Sequence, residues 1–310
     1  MIKYLIGTGG WAYFRVPSGA PLRVYSEIFN FVEVNYTFYK YPETRTVEKW
    51  RQTVPRDFQF AVRCHQDLTH KIGLRPVDEA YGVLARMTTY CGILDSPFLV
   101  LETPSSYVFD KEGIEAAHEF LSSANLRNVR LVWETRAPKT PALANLMADH
   151  NIIHSVDLSH EKPLTTSDVV YTRLFGKGKQ NIYQFTDDEL MEIDEKALQT
   201  GARTIAMSYH GLRMNADAVR FKEYKKTGSF LPVTSYVGVD SAKAVLSEDA
   251  RFPMSREALI EDQGWKVFDF TKEKRTHLSE LLSQIPEGTY MSLNQVIQAL
   301  ETIINQLSTV

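Results

Sequence analysis

Short apolar runs that stop abruptly at charged or polar residues recur along the chain. Phe31-Val-Glu33-Val-Asn35 does so, as do the runs that end at Arg63-Cys64-His65, Glu102, Glu134-Thr135-Arg136, Asp157 and Arg173. The runs are continuous in apolar residues rather than alternating, as parallel strands buried on both faces should be. They predict a first strand from Tyr4 to the glycines at 7–10, then strands over 31–36, 58–64, 98–102, 129–134, 152–157, 169–174 and 203–208. Between them, apolar residues fall at helical spacing over 22–29, 44–53, 77–91, 111–124, 141–150, 186–201 and 215–226. Ile114, Ala117, Phe120 and Leu121 share one face of 111–124, and Thr44 opens a helix that Pro55 ends. Residues 158–167 contain Pro163 and predict a reduced or missing sixth helix.

Strand–helix alternation implies parallel strands joined by crossover helices. Eight such units in about 230 residues match an α/β fold of the (β/α)8 TIM-type barrel class. An open doubly wound sheet is the alternative, but Gly7-Thr8-Gly9-Gly10 lacks the third glycine and the acidic partner of a dinucleotide fingerprint. Those glycines suit either a phosphate cradle or a turn where backbone passes close to its neighbours.

Residues 235–310 read differently and define a second, small, mainly helical module after a barrel spanning 1–234. Residues 249–255 are linker-like and open a short helix, 265–270 suit a strand or extended arm, and 276–285 are expected to be helical. Ser292-Leu-Asn-Gln295 has the form of a capping box. The stripe behind it is Leu293, Val296, Ile297, Leu300, Ile303, Ile304 and Leu307.

Composition alters this picture little. A net charge of −3 gives no bulk attraction to nucleic acid, although residues 235–310 carry 7 Lys+Arg against 11 Asp+Glu and the remainder 28 against 27. A basic cleft on the larger part is therefore compatible with the balance. Two cysteines, Cys64 and Cys91, make no disulfide framework and suit a reduced, cytoplasmic protein. No apolar run approaches the roughly 18 residues of a membrane span, so no membrane partner is expected.

In a TIM-type barrel the functional site lies at the C-terminal ends of the strands. Those ends bring together Thr8, Glu33, Asn35, Arg63, His65, Glu102, Glu134, Arg136, Asp157, Arg173, Ser208 and, one step on, His210. Carboxylates with histidines can hold a divalent metal, the candidate cofactor. Three arginines suit a phosphorylated or carboxylate ligand through their bidentate fork. Glu134 and Arg136 share a strand face, so each offsets the cost of burying the other. Glu33 could pair with Arg63 on the neighbouring strand, and the whole set could serve packing alone. Trp11, Tyr36, Phe38, Tyr39 and Tyr41 form an aromatic rim, His70 a rim or loop residue, and 176–181 a basic loop with Lys177 and Lys179. Cys64 and His65 face opposite ways, which argues against a Cys–His nucleophile pair.

The same residues carry a family likeness. Ile6-Gly-Thr-Gly-Gly-Trp11, Phe29-Asn-Phe-Val-Glu33-Val-Asn35-Tyr-Thr-Phe38-Tyr39, Thr46-Val-Glu-Lys-Trp50, Leu68-Thr69-His70, Glu134-Thr-Arg136, Asp157 and Tyr171-Thr-Arg173-Leu-Phe175-Gly176 resemble the YecE-like family, domain of unknown function 72. The likeness covers about the first 230 residues and implies a TIM-type barrel. It also implies a site core of Glu33, Asn35, Glu134, Arg136, Asp157 and Arg173. Arg63 stands where the family usually has Lys, Glu102 where it has Gln, and Ala137 and Phe175 where it has His. Ser208 and Tyr209 replace a common Asn pair, so Glu102 and His210 are poor choices for a family-wide metal site. The stretch 252–260 resembles another small helical domain of unknown function. The likeness implies fold and site but no reaction.

The leading expectation is a hydrolase acting on a phosphorylated sugar or nucleic-acid-like substrate. Arg63, Arg136 and Arg173 would hold the anion, with Asn35, Tyr39 and Trp11 also touching substrate. Glu33 and Glu134 would do acid–base or metal-ligand work, assisted by Asp157 and His65. Two rivals are a binding module without chemistry, and a scaffold recruiting a protein partner through its C-terminal helices.

Overall fold

The structure is a computed structural model that describes residues 2–14, 16 and 19–307. The chain divides into two compact units, Met1–Leu174 with Glu195–His210, and Phe175–Asp194 with Gly211–Val310. The first unit holds eight parallel strands: β1 (Lys3–Thr8), β2 (Phe31–Val34), β3 (Gln59–Arg63), β4 (Phe98–Thr103), β5 (Arg130–Thr135), β6 (Ile153–His154), β7 (Val169–Leu174) and β8 (Thr204–Tyr209). Their spatial order is β6-β5-β4-β3-β2-β1-β8-β7. A parallel bridge between Val156 and Thr172 closes the remaining seam. At that seam Arg173 N–H (3.2 Å) and the Thr172 hydroxyl (2.8 Å) both donate to the Val156 carbonyl. The result is a nearly closed TIM-type barrel, as the strand count predicts.

The seam is short because β6 is short. Asp157 turns the chain immediately after it, accepting from the backbone N–H (2.9 Å) and hydroxyl (2.6 Å) of Ser159. No helix forms over 158–167, in keeping with Pro163. The other crossovers of this unit carry α1 (Pro21–Ile28), a single turn α2 (Tyr36–Tyr39), α3 (Thr44–Thr53), α4 (Asp78–Leu94), α5 (Lys111–Ser123) and α6 (Pro141–Asp149). Residues 35–36, expected to prolong β2, turn into α2 instead. The Thr37 hydroxyl holds that turn by donating to the carbonyls of Val34 (2.8 Å) and Arg63 (2.6 Å), a tertiary tie that overrides the strand preference of the aromatic run.

Inside the barrel Leu5, Phe31, Ala61, Phe98, Val100, Val132, Ile153, Val169, Tyr171 and Ala206 form the apolar plug. Phe31 and Phe98 meet the Tyr171 ring edge-on at 5.9 and 5.7 Å. Strand residues alternate faces, so the next inward positions toward the C-terminal ends are Glu33, Arg63, Glu102, Glu134, Arg173 and Ser208. Outside, the buried Tyr25 hydroxyl donates to the Phe31 carbonyl at 3.0 Å and accepts from Thr8 N–H at 2.8 Å, which fixes α1 against β1 and β2.

The second unit contains α8 (Met214–Thr227), α9 (Val239–Leu246), α10 (Arg256–Gln263), α11 (Leu278–Leu282) and α12 (Leu293–Leu307); the division runs through α7 (Asp187–Gln199). It also contains two antiparallel ribbons, β9 (Met254–Ser255) with β12 (Thr289–Tyr290), and β10 (Val267–Asp269) with β11 (Arg275–His277). Leu246, Leu259, Phe268, Leu278, Leu282 and Leu300 are fully buried there. α9 has no counterpart among the elements that the sequence predicts. The helix expected over 276–285 shortens to α11, because Arg275–His277 pair with β10 instead. Ile304 and Leu307 of the expected stripe lie outside the residues whose side chains are described. Buried Arg220 donates to the Phe185 carbonyl (2.7 Å), to Asp217 (3.1 Å) and to Asp187, and Arg275 pairs with Asp187 at 2.9 Å. Among the described residues no helix is long and apolar enough to cross a membrane.

Replacing Tyr25 by Phe removes one hydroxyl and leaves a buried N–H and a buried carbonyl short of a partner. We expect a loss of about 1–3 kcal/mol, read as a lower urea midpoint with unchanged slope.

Candidate functional site

The inward positions at the strand ends form one ion-paired layer around Arg173. Its Nη1 donates to Glu134 Oε2 at 2.5 Å and to Glu102 Oε2 at 2.7 Å, and its Nη2 lies 3.1 Å from Glu33 Oε1. Glu102 is shared further: Arg63 donates to it at 2.5 Å, and Arg136 lies 3.1 Å away. Arg136 also reaches Glu134, at 3.8 Å. Arg63 donates to Asn35 Oδ1 at 3.1 Å and rests its guanidinium 3.9 Å above the Phe38 ring. Three carboxylates thus meet three guanidinium groups.

A second limb runs from Glu33 toward β8. The Tyr171 hydroxyl donates to Glu33 Oε2 at 2.8 Å, His210 Nε2 lies 3.6 Å from the same oxygen, and Ser208 Oγ lies 2.9 Å from that nitrogen. Gly9 makes room for this limb. A Cβ there would stand 2.3 Å from His210 Nδ1 and 2.7 Å from Asn35 Nδ2, while Asn35 donates to the Gly9 carbonyl at 2.6 Å. Of the two uses open to the glycines, the structure shows the close backbone approach.

Protonation follows from this packing. Burial pushes the Glu33 carboxyl up, but Arg173, His210 and Arg63 together outweigh it and hold the group well below the usual carboxylate range. Glu102 is likewise pushed up by burial and lowered on balance by Arg173 and Arg63. Burial, then Arg173, lowers His210, which keeps it neutral at neutral pH. Burial and the Glu33 charge raise the Tyr171 hydroxyl. The Cys64 thiol is pushed up to about 12 by burial, so it is no nucleophile.

Glu33, Asn35, Arg63, Glu134, Arg136 and Arg173, all expected at the site, do come together. Arg63 pairs with Glu102 and Asn35, while Glu33 pairs with Arg173. Asp157 serves the turn after β6 through Ser159. His65 stacks on Tyr41 at 3.8 Å and lies 3.1 Å from Asp67, in the loop after β3. Trp11 packs edge-on against Trp50 at 5.3 Å. Tyr39 is 62% exposed and meets Phe38 edge-on at 4.9 Å. His70, also edge-on to Phe38, lies close enough to Glu102, Arg63 and Arg136 to feel their charges. Glu102 and His210, poor choices on family grounds, are central. Tyr171 and Ser208 join them as partners that the charge pattern does not single out, although Tyr171 is two positions before Arg173 on the same inward face. Among the described residues no three His, Cys, Asp or Glu side chains gather as a metal-binding set. The position between Glu33, Glu102 and Glu134 is taken by the Arg173 guanidinium.

An eight-stranded parallel barrel with its polar layer at the strand C-termini defines a TIM-barrel protein. Within that class the chain belongs to the family described as "Protein of unknown function DUF72", whose model matches residues 5–225. The crystal structure of a DUF72 family protein from Thermotoga maritima is similar, with a TM-score of 0.60 and 19% identity, covering 72% of this chain and 99% of that one. One from Enterococcus faecalis V583 gives a TM-score of 0.57 and 13% identity over 73% of this chain and 98% of that one. These likenesses bear on the fold. The UPF0759 protein YunF of Bacillus subtilis (strain 168) is 35% identical over 80 residues, a match spanning 24% of this chain and 28% of that protein.

Substituting Arg173 by Met leaves carboxylates buried without their central cation. We expect a loss of about 3–5 kcal/mol at pH 7. In the parent, Glu33 and Glu102 sit below their unfolded values, so their stabilisation is complete above the ordinary carboxylate range. It is lost as pH falls through the depressed folded values. In the variant Glu102 keeps Arg63 and Arg136 but Glu33 loses its main counter-charge, so burial raises Glu33 and stability should rise as pH falls from 7 to 5, where the parent gains nothing from it. Urea unfolding at both pH values checks this, and equal pH slopes would contradict it.

Proposed function

We propose that the barrel mouth binds a small phosphorylated ligand, sugar- or nucleotide-like, and that the protein hydrolyses it. The supporting observation is Arg136. Its side chain is 55% exposed, yet its guanidinium is already oriented by Glu102 and Glu134, the latter itself 13% exposed. An arginine held in this way is a prepared receptor for a phosphate, which can take its fork bidentately. Beside it, Glu134 is the carboxylate of the layer nearest to solvent. It takes a proton from the attacking water as oxygen adds to phosphorus, and returns that proton to the leaving alcohol. Glu33 and Glu102 are held too acidic to act as bases, and they keep Arg173 and Arg63 in place.

That same acidity favours a second reading. A layer in which Glu33 and Glu102 are both held below the ordinary carboxylate range is better suited to holding guanidinium groups than to moving protons, which is what a binding module without turnover would need.

Calorimetry with inorganic phosphate, a hexose phosphate and a nucleoside monophosphate addresses binding, and release of nitrophenol from para-nitrophenyl phosphate addresses turnover. Arg136→Ala should weaken binding about ten- to hundredfold, the worth of a charge-assisted hydrogen bond. Glu134→Gln should keep binding and lose about 10²–10⁴ in turnover. Saturable binding with no product from the parent would select the binding module. Absence of binding by all three ligands would sink both readings.

A further inference from the structure

Two histidines meet on the outer helical layer of the barrel unit. His118 lies in α5, and His150 is the residue that ends α6. His118 Nδ1 and His150 Nε2 are 3.1 Å apart, with ring centroids 4.8 Å apart and planes inclined by 62°. His118 is exposed and His150 half-buried, so both rings can be reached from solvent. Their helices are anchored: α5 buries Ala117, Phe120 and Leu121, and α6 buries Leu143, Leu146 and Met147. Thr140 caps α6, its hydroxyl oxygen accepting from Leu143 N–H at 3.2 Å. No loop need be ordered to bring the two rings together.

We propose that His118 and His150 form a two-imidazole chelate for a divalent d-block cation of the copper or nickel type. Imidazole nitrogens bind such ions at about 2.0–2.1 Å. Two nitrogens at that distance from one ion, and separated as these are, subtend roughly 100° at the metal. That angle lies between the right angle of a tetragonal site and the tetrahedral angle, so it admits either geometry, and the preference for copper and nickel comes from the higher affinity of imidazole sites for those ions along the divalent first-row series. Without an ion, the same separation is that of an N–H···N hydrogen bond, which holds the rings in register. On binding, the bridging proton moves to the other nitrogen of its own ring, and each ring turns off the N···N line so that both lone pairs converge on the metal. Water completes the coordination, since among the described residues no group of three His, Cys, Asp or Glu forms a metal set. The ion therefore ties α5 to the end of α6 reversibly and keeps open positions for exchange.

The test uses the untagged, chelator-treated full chain, titrated with Cu(II) and with Ni(II) in a non-coordinating buffer. One saturable equivalent is expected, with coupling from two imidazole nitrogens in the Cu(II) electron paramagnetic resonance spectrum and a raised unfolding midpoint. His118→Asn and His150→Asn should each weaken binding at least tenfold and remove one nitrogen coupling, with the metal-induced rise in midpoint lost in both. Binding equal to the parent's in either variant, or no saturable binding, overturns the proposal. A parent spectrum without imidazole coupling does so independently of how the variants fold.

Discussion

The first unit depends on a single buried cation. Arg173 reaches Glu33, Glu102 and Glu134 at 3.1, 2.7 and 2.5 Å, from a strand on which nearly everything else is apolar. A carboxylate in that environment would cost several kcal/mol to desolvate alone. Held by one guanidinium, three of them become the rigid floor of the mouth. Arg63 and Arg136 then find their places because Glu102 is already fixed. Asn35 and Gly9 follow, since Asn35 bridges Arg63 to the β1 exit.

This layer gives chemical content to the apolar plug beneath it. Tyr171 belongs to both: its ring packs against Phe31 and Phe98, and its hydroxyl satisfies Glu33. Packing in the barrel interior and charge at its mouth are therefore coupled through one side chain. A change in either is felt by the other, and Glu33, Tyr171, His210 and Ser208 behave as a connected group rather than as separate candidates.

The eight strands, most helices and the gathering of Glu33, Asn35, Arg63, Glu134, Arg136 and Arg173 are legible in the sequence, because a continuous apolar run that ends in charge suits little besides a buried parallel strand. The pairing within the layer is not. Which guanidinium meets which carboxylate depends on stagger between strands and on side-chain length, so sequence proximity suggests Arg63 for Glu33 where the fold gives it Arg173. Glu102 departs from a family habit and looks expendable on that ground, yet its position two residues past Val100 places it on the inward face. His65 is held apart from the layer for a local reason, since Tyr41 stacks on its ring and Asp67, two residues on in the same loop, lies 3.1 Å from it. Of the ribbon strands of the second unit, only β10 is anticipated, within 265–270; β9, β11 and β12 escape because strands of two or three residues carry no readable period.

The brevity of β6 has a consequence for misfolding. A closed sheet presents no edge on which another chain can add a strand. Here closure between β6 and β7 rests on one bridge and a few hydrogen bonds to the Val156 carbonyl and from Leu158 N–H. Parting that seam would uncover β7, six buried residues from Val169 to Leu174, as a ready template along its whole length. The point that completes the barrel is thus also where its protection against self-association is thinnest.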